Sequence, residues 1–166
     1  GLEFLSNHDP LTKLYNRHFF NARMQPDNRN TNENQHCSLI LIDIDHFKEI
    51  NDEYGHSAGD KVLQTLSAVL KQCVREQDIV ARWGGEEFVI MSQQDCPEDA
   101  QVLASRIAER IRSTSFSVAK AVTCSFGIAC LKQQESMISC FERADIALYQ
   151  AKAKGRDCIC ISEEHT

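Results

Sequence analysis

Residues Arg82-Trp83-Gly84-Gly85-Glu86-Glu87-Phe88-Val89-Ile90-Met91 constrain this chain more than any other stretch. Two adjacent glycines stand between β-type runs, and glycine accepts the positive φ that a tight hairpin turn demands. The pattern predicts a hairpin over 79–92 with Gly84-Gly85 as its turn. Glu86 and Glu87 then sit at the tip, where carboxylates reach a metal ion or a substrate. Two solvated surface acids are the plainer reading of the same residues.

A second acidic strand end lies upstream. Ser38-Leu39-Ile40-Leu41-Ile42 is a short apolar run, and it predicts a strand over 38–43 that is buried on both faces. Asp43 and Asp45 lie two apart and so are expected to project to one side. Carboxylates at the end of a buried strand are costly unless paired, hydrogen-bonded or bound to metal. Hard oxygen ligands of this kind suit Mg²⁺ or Mn²⁺, above all when substrate phosphates complete the shell. Asp45 has a second reading, as the cap of a helix expected to begin near His46.

A chain of 166 residues fits one domain with a real core. Its net charge of −6 argues against a broad nucleic-acid footprint, which needs a basic face. It leaves room for one nucleotide held by a few cations. No apolar run approaches the roughly eighteen residues of a membrane span, and no signal peptide is evident, so a cytoplasmic location is expected. The eight cysteines are Cys37, Cys73, Cys96, Cys124, Cys130, Cys140, Cys158 and Cys160, with no Cys-x-x-Cys pair among them. Most lie in apolar runs and read as reduced core residues. Cys158 and Cys160 would share one face of a strand, without an expected metal or redox role.

Along the chain, 11–25 reads as helix with Asp9 as N-cap and Pro10 at its first position. An Asn- and Asp-rich loop follows over 26–36. Helices are expected over 46–54, stopped at Gly55, and over 58–74, where Val62, Leu63, Leu66, Val69 and Leu70 form an apolar stripe. Pro97 opens a further helix to residue 113, with Val102, Leu103, Ile107 and Ile111 facing inward. Strands over 115–122 and 124–131, a helix over 136–154 closed by Gly155, and a strand over 157–161 complete the pattern. Helices alternating with strands around one mixed sheet make an α+β fold, a two-layer α/β domain.

The motifs Asp9-Pro10-Leu11-Thr12-Lys13-Leu14-Tyr15-Asn16-Arg17 and Asp43-Ile44-Asp45-His46-Phe47-Lys48-Glu49-Ile50-Asn51-Asp52 open a longer series. Gly59-Asp60, Arg82 to Phe88, Ser125-Phe126-Gly127-Ile128-Ala129 and Ala144 to Arg156 continue it. In this order, over about 7–161, the chain resembles the GGDEF family, the catalytic domain of diguanylate cyclases, with the signature written Gly-Gly-Glu-Glu-Phe. The resemblance implies a central five-stranded sheet flanked by helices, similar to the palm of polymerases and class III nucleotide cyclases. It implies residues 8–166 as the domain, with 1–7 the residual end of a linker from an N-terminal sensory or regulatory domain.

The implied reaction condenses two GTP into cyclic di-GMP and releases two pyrophosphates, with two subunits facing each other as a homodimer. Asp43, the Ile44 carbonyl and Glu86 would hold Mg²⁺ or Mn²⁺. Glu87 would hold a second ion or help deprotonate the 3′-hydroxyl. Lys48, Lys152 and Arg156 would clamp the phosphates, with the His46 and Phe47 N–H groups adding to the anion site and Gly84-Gly85 lining it. Lys152 and Arg156 also read as charges at a helix C-terminus. Asn51 and Asp60 match the donor and acceptor edge of guanine. Arg75 and Asp78 match the family's product-inhibition motif, with Arg110 as a further arginine, so feedback by cyclic di-GMP is expected. A catalytically silent receptor for GTP or cyclic di-GMP is the alternative. Trp83 is read as packing, Asn16 and Arg17 as a structural turn and ion pair, and His8 and His56 receive no catalytic role.

Overall fold

The computed structural model describes residues 1–26, 37–93 and 98–163. The expected loop from residue 27 onward, Cys96 and the helix start at Pro97 lie outside them. The architecture grows from β1, Ser38–Ile44, which is buried at every position. It pairs antiparallel on both sides, with β3, Glu87–Ser92, and with β4, Cys124–Cys130. β2, Ile79–Gly84, joins β3 in a hairpin, and β5, Ile159–Ile161, runs parallel to β4. The result is a five-stranded mixed sheet in the order β2-β3-β1-β4-β5.

Alternation along β1 divides the core between the two faces of the sheet. Ile40, Ile42 and Ile44 join Leu66 and Leu70 of α4, His56–Cys73, and Leu103 and Ile107 of α5, Glu98–Arg112. Leu39 and Leu41 join Phe20 and Met24 of α2, Arg17–Met24, and Cys140, Ala144 and Leu148 of α6, Met137–Ala153. The short α3, Phe47–Tyr54, packs on α4 and ends at Gly55, whose φ of +91° suits glycine. Removing one fully buried aliphatic side chain from such a core costs roughly 2–5 kcal/mol.

Several local expectations give way to longer-range contacts. Residues 2–7, expected as linker, form the helix α1, Leu2–Asn7. Asp9 caps no helix; its Oδ2 accepts from the Thr12 N–H and hydroxyl, both at 2.8 Å, and makes a turn. The helix expected over 11–25 therefore starts later, where Asn16 Oδ1 accepts from the Phe19 N–H at 2.9 Å. Arg17 lies over the Trp83 ring, 4.4 Å from its centroid, and among the described residues it has no ion pair. Residues 115–122 form no strand, although Phe116 and Val122 are buried in the core. Val102, expected inside, is 61% exposed, whereas Leu103, Ile107 and Ile111 are buried.

Two packing features position α6, which carries candidate site residues. Glu135 and Arg143 form a partly buried pair at 2.7 Å, and Arg143 also donates to the Cys130 carbonyl and Ser162. Burial opposes ionisation of Glu135, but hydrogen bonds from Arg143, the Lys132 N–H and Ser139 outweigh it and lower its carboxyl to about 2. Gly127 of β4 lets α6 approach closely: a Cβ there would stand 2.3 Å from the Leu148 nitrogen and 2.4 Å from the Ala144 oxygen. Among the described residues all cysteines are free thiols, and no helix is long and apolar enough to cross a membrane. Gly127→Ala is expected to push α6 off the sheet and cost at least about 3 kcal/mol, read as a lower denaturant midpoint. A midpoint unchanged from that of the unaltered chain would show that the helix moves away freely.

Candidate functional site

The site begins where β1 leaves the core. Asp43 is 5% exposed and stands directly opposite Glu87 in the β1–β3 ladder. Directly paired like charges repel, so this register is unfavourable on its own. Burial raises the Asp43 carboxyl above its ordinary value, against the pull of the Lys152 ammonium that hydrogen-bonds to Asp43 Oδ2. Burial and then the Asp43 charge raise Glu87 likewise. Glu86 acts electrostatically on both.

The hairpin tip differs from the expected Gly84-Gly85 turn. Gly84 still pairs with Glu87, so the two turn residues are Gly85 and Glu86, and Gly85 supplies the positive φ of +45°. Glu86 thus belongs to the turn itself, while Glu87 is the first residue of β3. The Ile44 N–H donates to the Glu86 carbonyl at 3.2 Å, which holds the end of β1 against the turn. Arg82 braces it from outside: its Nε donates to the Gly85 carbonyl at 2.9 Å, and its Nη1 reaches both Asp9 oxygens at 3.3 Å. Asp9 and Arg82 lie 73 positions apart, so no local sequence pattern joins them.

The cations come from α6 and α3. Lys152 lies in the last turn of α6 and is committed to Asp43. Arg156 follows the helix on left-handed backbone, φ +66°, and is exposed. Lys48 is exposed in the first turn of α3. His46 precedes that helix with φ +55° and no side-chain cap, and the Phe47 ring is buried. Asp45 does not cap α3 either. Its carboxylate accepts from Ser125 Oγ at 2.6 Å, Thr123 Oγ1 at 2.7 Å and the Asp157 N–H at 2.9 Å.

The α3–α4 corner sets Asn51 against Gly59, the residue before Asp60. Asn51 is half-buried, and its side chain lies on Gly59, where a Cβ would stand 1.8 Å from Asn51 Oδ1. Asp60 is the next residue of α4 and is exposed. Elsewhere, Arg75 and Asp78 form a closed turn. The Arg75 N–H donates to Asp78 Oδ2 at 2.9 Å and Ser92 Oγ donates to Oδ1 at 3.1 Å, so Asp78 is buried and the Arg75 side chain is exposed. A cavity of about 310 Å³ adjoins this turn, lined by His8, Lys13, Tyr15, Lys71, Arg75 and Asp78 among others. Arg110 donates to Gln72 at 3.1 Å, and Arg106, not foreseen, donates to the Cys73 carbonyl beside the Arg75 turn.

Among the described residues no three His, Cys, Asp or Glu side chains close on one metal position. The acidic group at the end of β1 can nevertheless supply part of a shell for a hard divalent ion, with substrate oxygens and water supplying the rest. The donor set fits such an ion: it is oxygen only, and burial followed by neighbouring charges holds the Asp43 and Glu87 carboxyls above their ordinary values.

Comparison with known proteins gives a consistent picture. The family described as "Diguanylate cyclase, GGDEF domain" matches residues 6–158. Diguanylate cyclase DgcM of Escherichia coli (strain K12) is 42% identical over 157 residues, which cover 94% of this chain and 38% of that protein. Diguanylate cyclase DgcP of Pseudomonas aeruginosa is 40% identical over 153 residues, covering 90% of this chain and 23% of that protein. The chain therefore spans well under half the length of these relatives. The solved coiled coil and GGDEF domain of DgcB from Caulobacter crescentus, in complex with c-di-GMP, is similar with a TM-score of 0.87. Its identity is 29%, covering 96% of this chain and 87% of that one. On its sheet order, its motifs and the extent of these matches, the chain belongs to the GGDEF family of diguanylate cyclase domains.

Proposed function

We propose that this domain condenses two GTP into cyclic di-GMP and two pyrophosphates. The observation that carries this reading is the acidic end of β1, where Asp43 faces Glu87 across the ladder with Glu86 in the adjoining turn and Lys152 against them. Diguanylate cyclases of this family depend on a divalent metal. Asp43, Glu86 and the Ile44 carbonyl would hold Mg²⁺ or Mn²⁺, with Glu87 beside them for a second ion or for the proton of the 3′-hydroxyl. When bound, the ion supplies neutralisation of charge developing on the reacting phosphate. A carboxylate raised above its ordinary value is a stronger base than a free one, which suits Glu87 to accept a hydroxyl proton.

The other residues bind and orient. Lys48, Lys152 and Arg156 take the phosphates, Arg156 through its forked guanidinium. The His46 and Phe47 N–H groups would add donors at the start of α3, and Gly84 and Gly85 would line the site. Asn51, which lies against Gly59, and the adjoining Asp60 read the guanine edge. One domain holds one nucleotide, so turnover requires two subunits as a homodimer with their nucleotides antiparallel. Cyclic di-GMP is also the expected inhibitor, at the exposed Arg75 side chain and the Asp78 turn, with Arg110 nearby. Input comes through an N-terminal sensory or regulatory domain, in keeping with the greater length of the relatives. A cytoplasmic site of action is part of the same reading.

Chromatography of nucleotides after incubation of the concentrated domain with GTP and Mg²⁺ tests the proposal. Cyclic di-GMP is expected from the unaltered chain and not from Glu86→Ala/Glu87→Ala, with a rate that rises faster than protein concentration. Nucleotide bound but never condensed, even with two domains joined to a dimeriser, would make the chain a receptor.

Gly59→Ala is expected to displace the Asn51 amide and raise KM for GTP about tenfold, with little loss of stability, because the displaced atom ends a flexible side chain. An unchanged KM would remove Asn51 from guanine recognition.

The acidic pair also costs stability. Glu87 binds its proton more tightly folded than unfolded, so stability falls as pH rises from its ordinary 4.5 through its raised value. Glu87→Gln removes this burden. Its melting temperature should exceed that of the unaltered chain at pH 7, and the gain should vanish below pH 4.5. A lower melting temperature at pH 7 would mean that the ionised carboxylate stabilises the fold.

A further inference from the structure

The chain after α6 is bent in an unusual way. Gly155, Arg156 and Asp157 carry φ of +115°, +66° and +48° in succession. Glycine adopts this backbone freely, but each of the other two pays about 1–2 kcal/mol and keeps it only where its surroundings impose it. The Arg156 N–H is held by the Ala151 carbonyl at 3.0 Å, in the last turn of α6. The far side is held by Asp45, whose Oδ2 accepts the Asp157 N–H at 2.9 Å. Asp45 is 6% exposed and is itself fixed by Ser125 and Thr123, the residues on either side of Cys124 at the start of β4. The Asp157 side chain takes no part in this anchor; it reaches Arg112 at 3.6 Å.

We infer that Asp45 is a positioning residue for the triphosphate end of the nucleotide. It touches no substrate. It fixes the left-handed turn at 155–157 and thereby aims Arg156. The two acids at the end of β1 thus serve two cations in different ways, Asp43 by direct contact with Lys152 and Asp45 through the backbone that carries Arg156. Loss of the Asp45 carboxylate therefore removes contacts to the β- and γ-phosphates and leaves the base and α-phosphate contacts in place. This inference rests on the reading of Arg156 as a phosphate ligand, and the test separates the two.

Binding of 3′-deoxy-GTP, which lacks the attacking hydroxyl, and of 3′-deoxy-GMP is measured by calorimetry with Mg²⁺ for Asp45→Ala, Asp45→Asn, Arg156→Ala and the double alanine variant. Asp45→Ala should weaken the triphosphate about tenfold and leave the monophosphate unchanged. Asp45→Asn should restore most of the affinity, since its amide oxygen still accepts the Asp157 N–H while its NH₂ faces Ser125 Oγ. The double variant should bind like Arg156→Ala alone, because both changes remove one contact. If Arg156→Ala does not weaken the triphosphate, the phosphate reading fails and the inference with it. If Arg156→Ala does weaken it, but Asp45→Ala weakens both ligands equally or adds fully to Arg156→Ala, only the positioning role is overturned. Should Asp45→Ala not fold, amide exchange in the unaltered chain decides: the Asp157 N–H should be protected although its residue is exposed. Exchange at the rate of an open loop would overturn the anchor.

Discussion

Everything in this domain depends on a buried strand that ends in charge. β1 is shielded on both faces and paired on both edges, so its residues have no freedom of register. That rigidity places Asp43 between Glu87 on one side and Ser125 on the other. A flexible chain would let the acids separate. Here the ladder forbids it; Lys152 meets the charge of Asp43, while burial first and the neighbouring acids second raise the Asp43 and Glu87 carboxyls. The fold thus concentrates negative charge at the end of a strand that neighbours hold on both edges.

The helix α6 shows how packing serves this site. Gly127 admits its backbone close to β4, and Arg143, paired with Glu135, fastens its first half to the Cys130 carbonyl at the end of β4. Its last turn then delivers Lys152 to Asp43. A cation at a helix C-terminus is favoured by the dipole whatever the ligand. The local reading of Lys152 as dipole compensation and its reading as a site residue are therefore one arrangement seen at two levels.

Legibility in the sequence followed the range of each interaction. The strand over 38–43, the stripe on α4 and the hairpin over 79–92 are repeated local patterns, and all three are present. The turn was displaced by one residue because Gly84 keeps its ladder partner, a matter of register that two glycines alone do not decide. Asp9 looks like an N-cap by its neighbours, yet its carboxylate answers to Thr12 and to the distant Arg82. Phe116 and Val122 carry a strand-like pattern and fill the core without pairing, since burial asks for apolar volume and not for a ladder. Asp45 was the hardest, because its partners at 123, 125 and 157 belong to other segments altogether. The resemblance to a known family supplied roles for Asn51, Asp60, Arg75 and Arg156 that no spacing in this chain could have assigned.

Charge explains why such a site calls for a divalent ion in the proposed reading. The chain carries a net −6, so it offers a triphosphate no general attraction. Locally, Asp43, Glu86 and Glu87 stand against Lys48, Lys152 and Arg156, which is near balance before any nucleotide arrives. A triphosphate then adds several negative charges to a region whose best-placed ammonium is already committed to Asp43. Lys152 serves carboxylate and phosphate together only if a further positive charge joins them. In the proposed reading Asp43, Glu86 and the Ile44 carbonyl would hold a hard divalent ion, which would supply that charge and leave the Lys152 ammonium available to the phosphates. Burial raises the Asp43 and Glu87 carboxyls, and a divalent ion bound beside them would lower the cost of keeping them ionised.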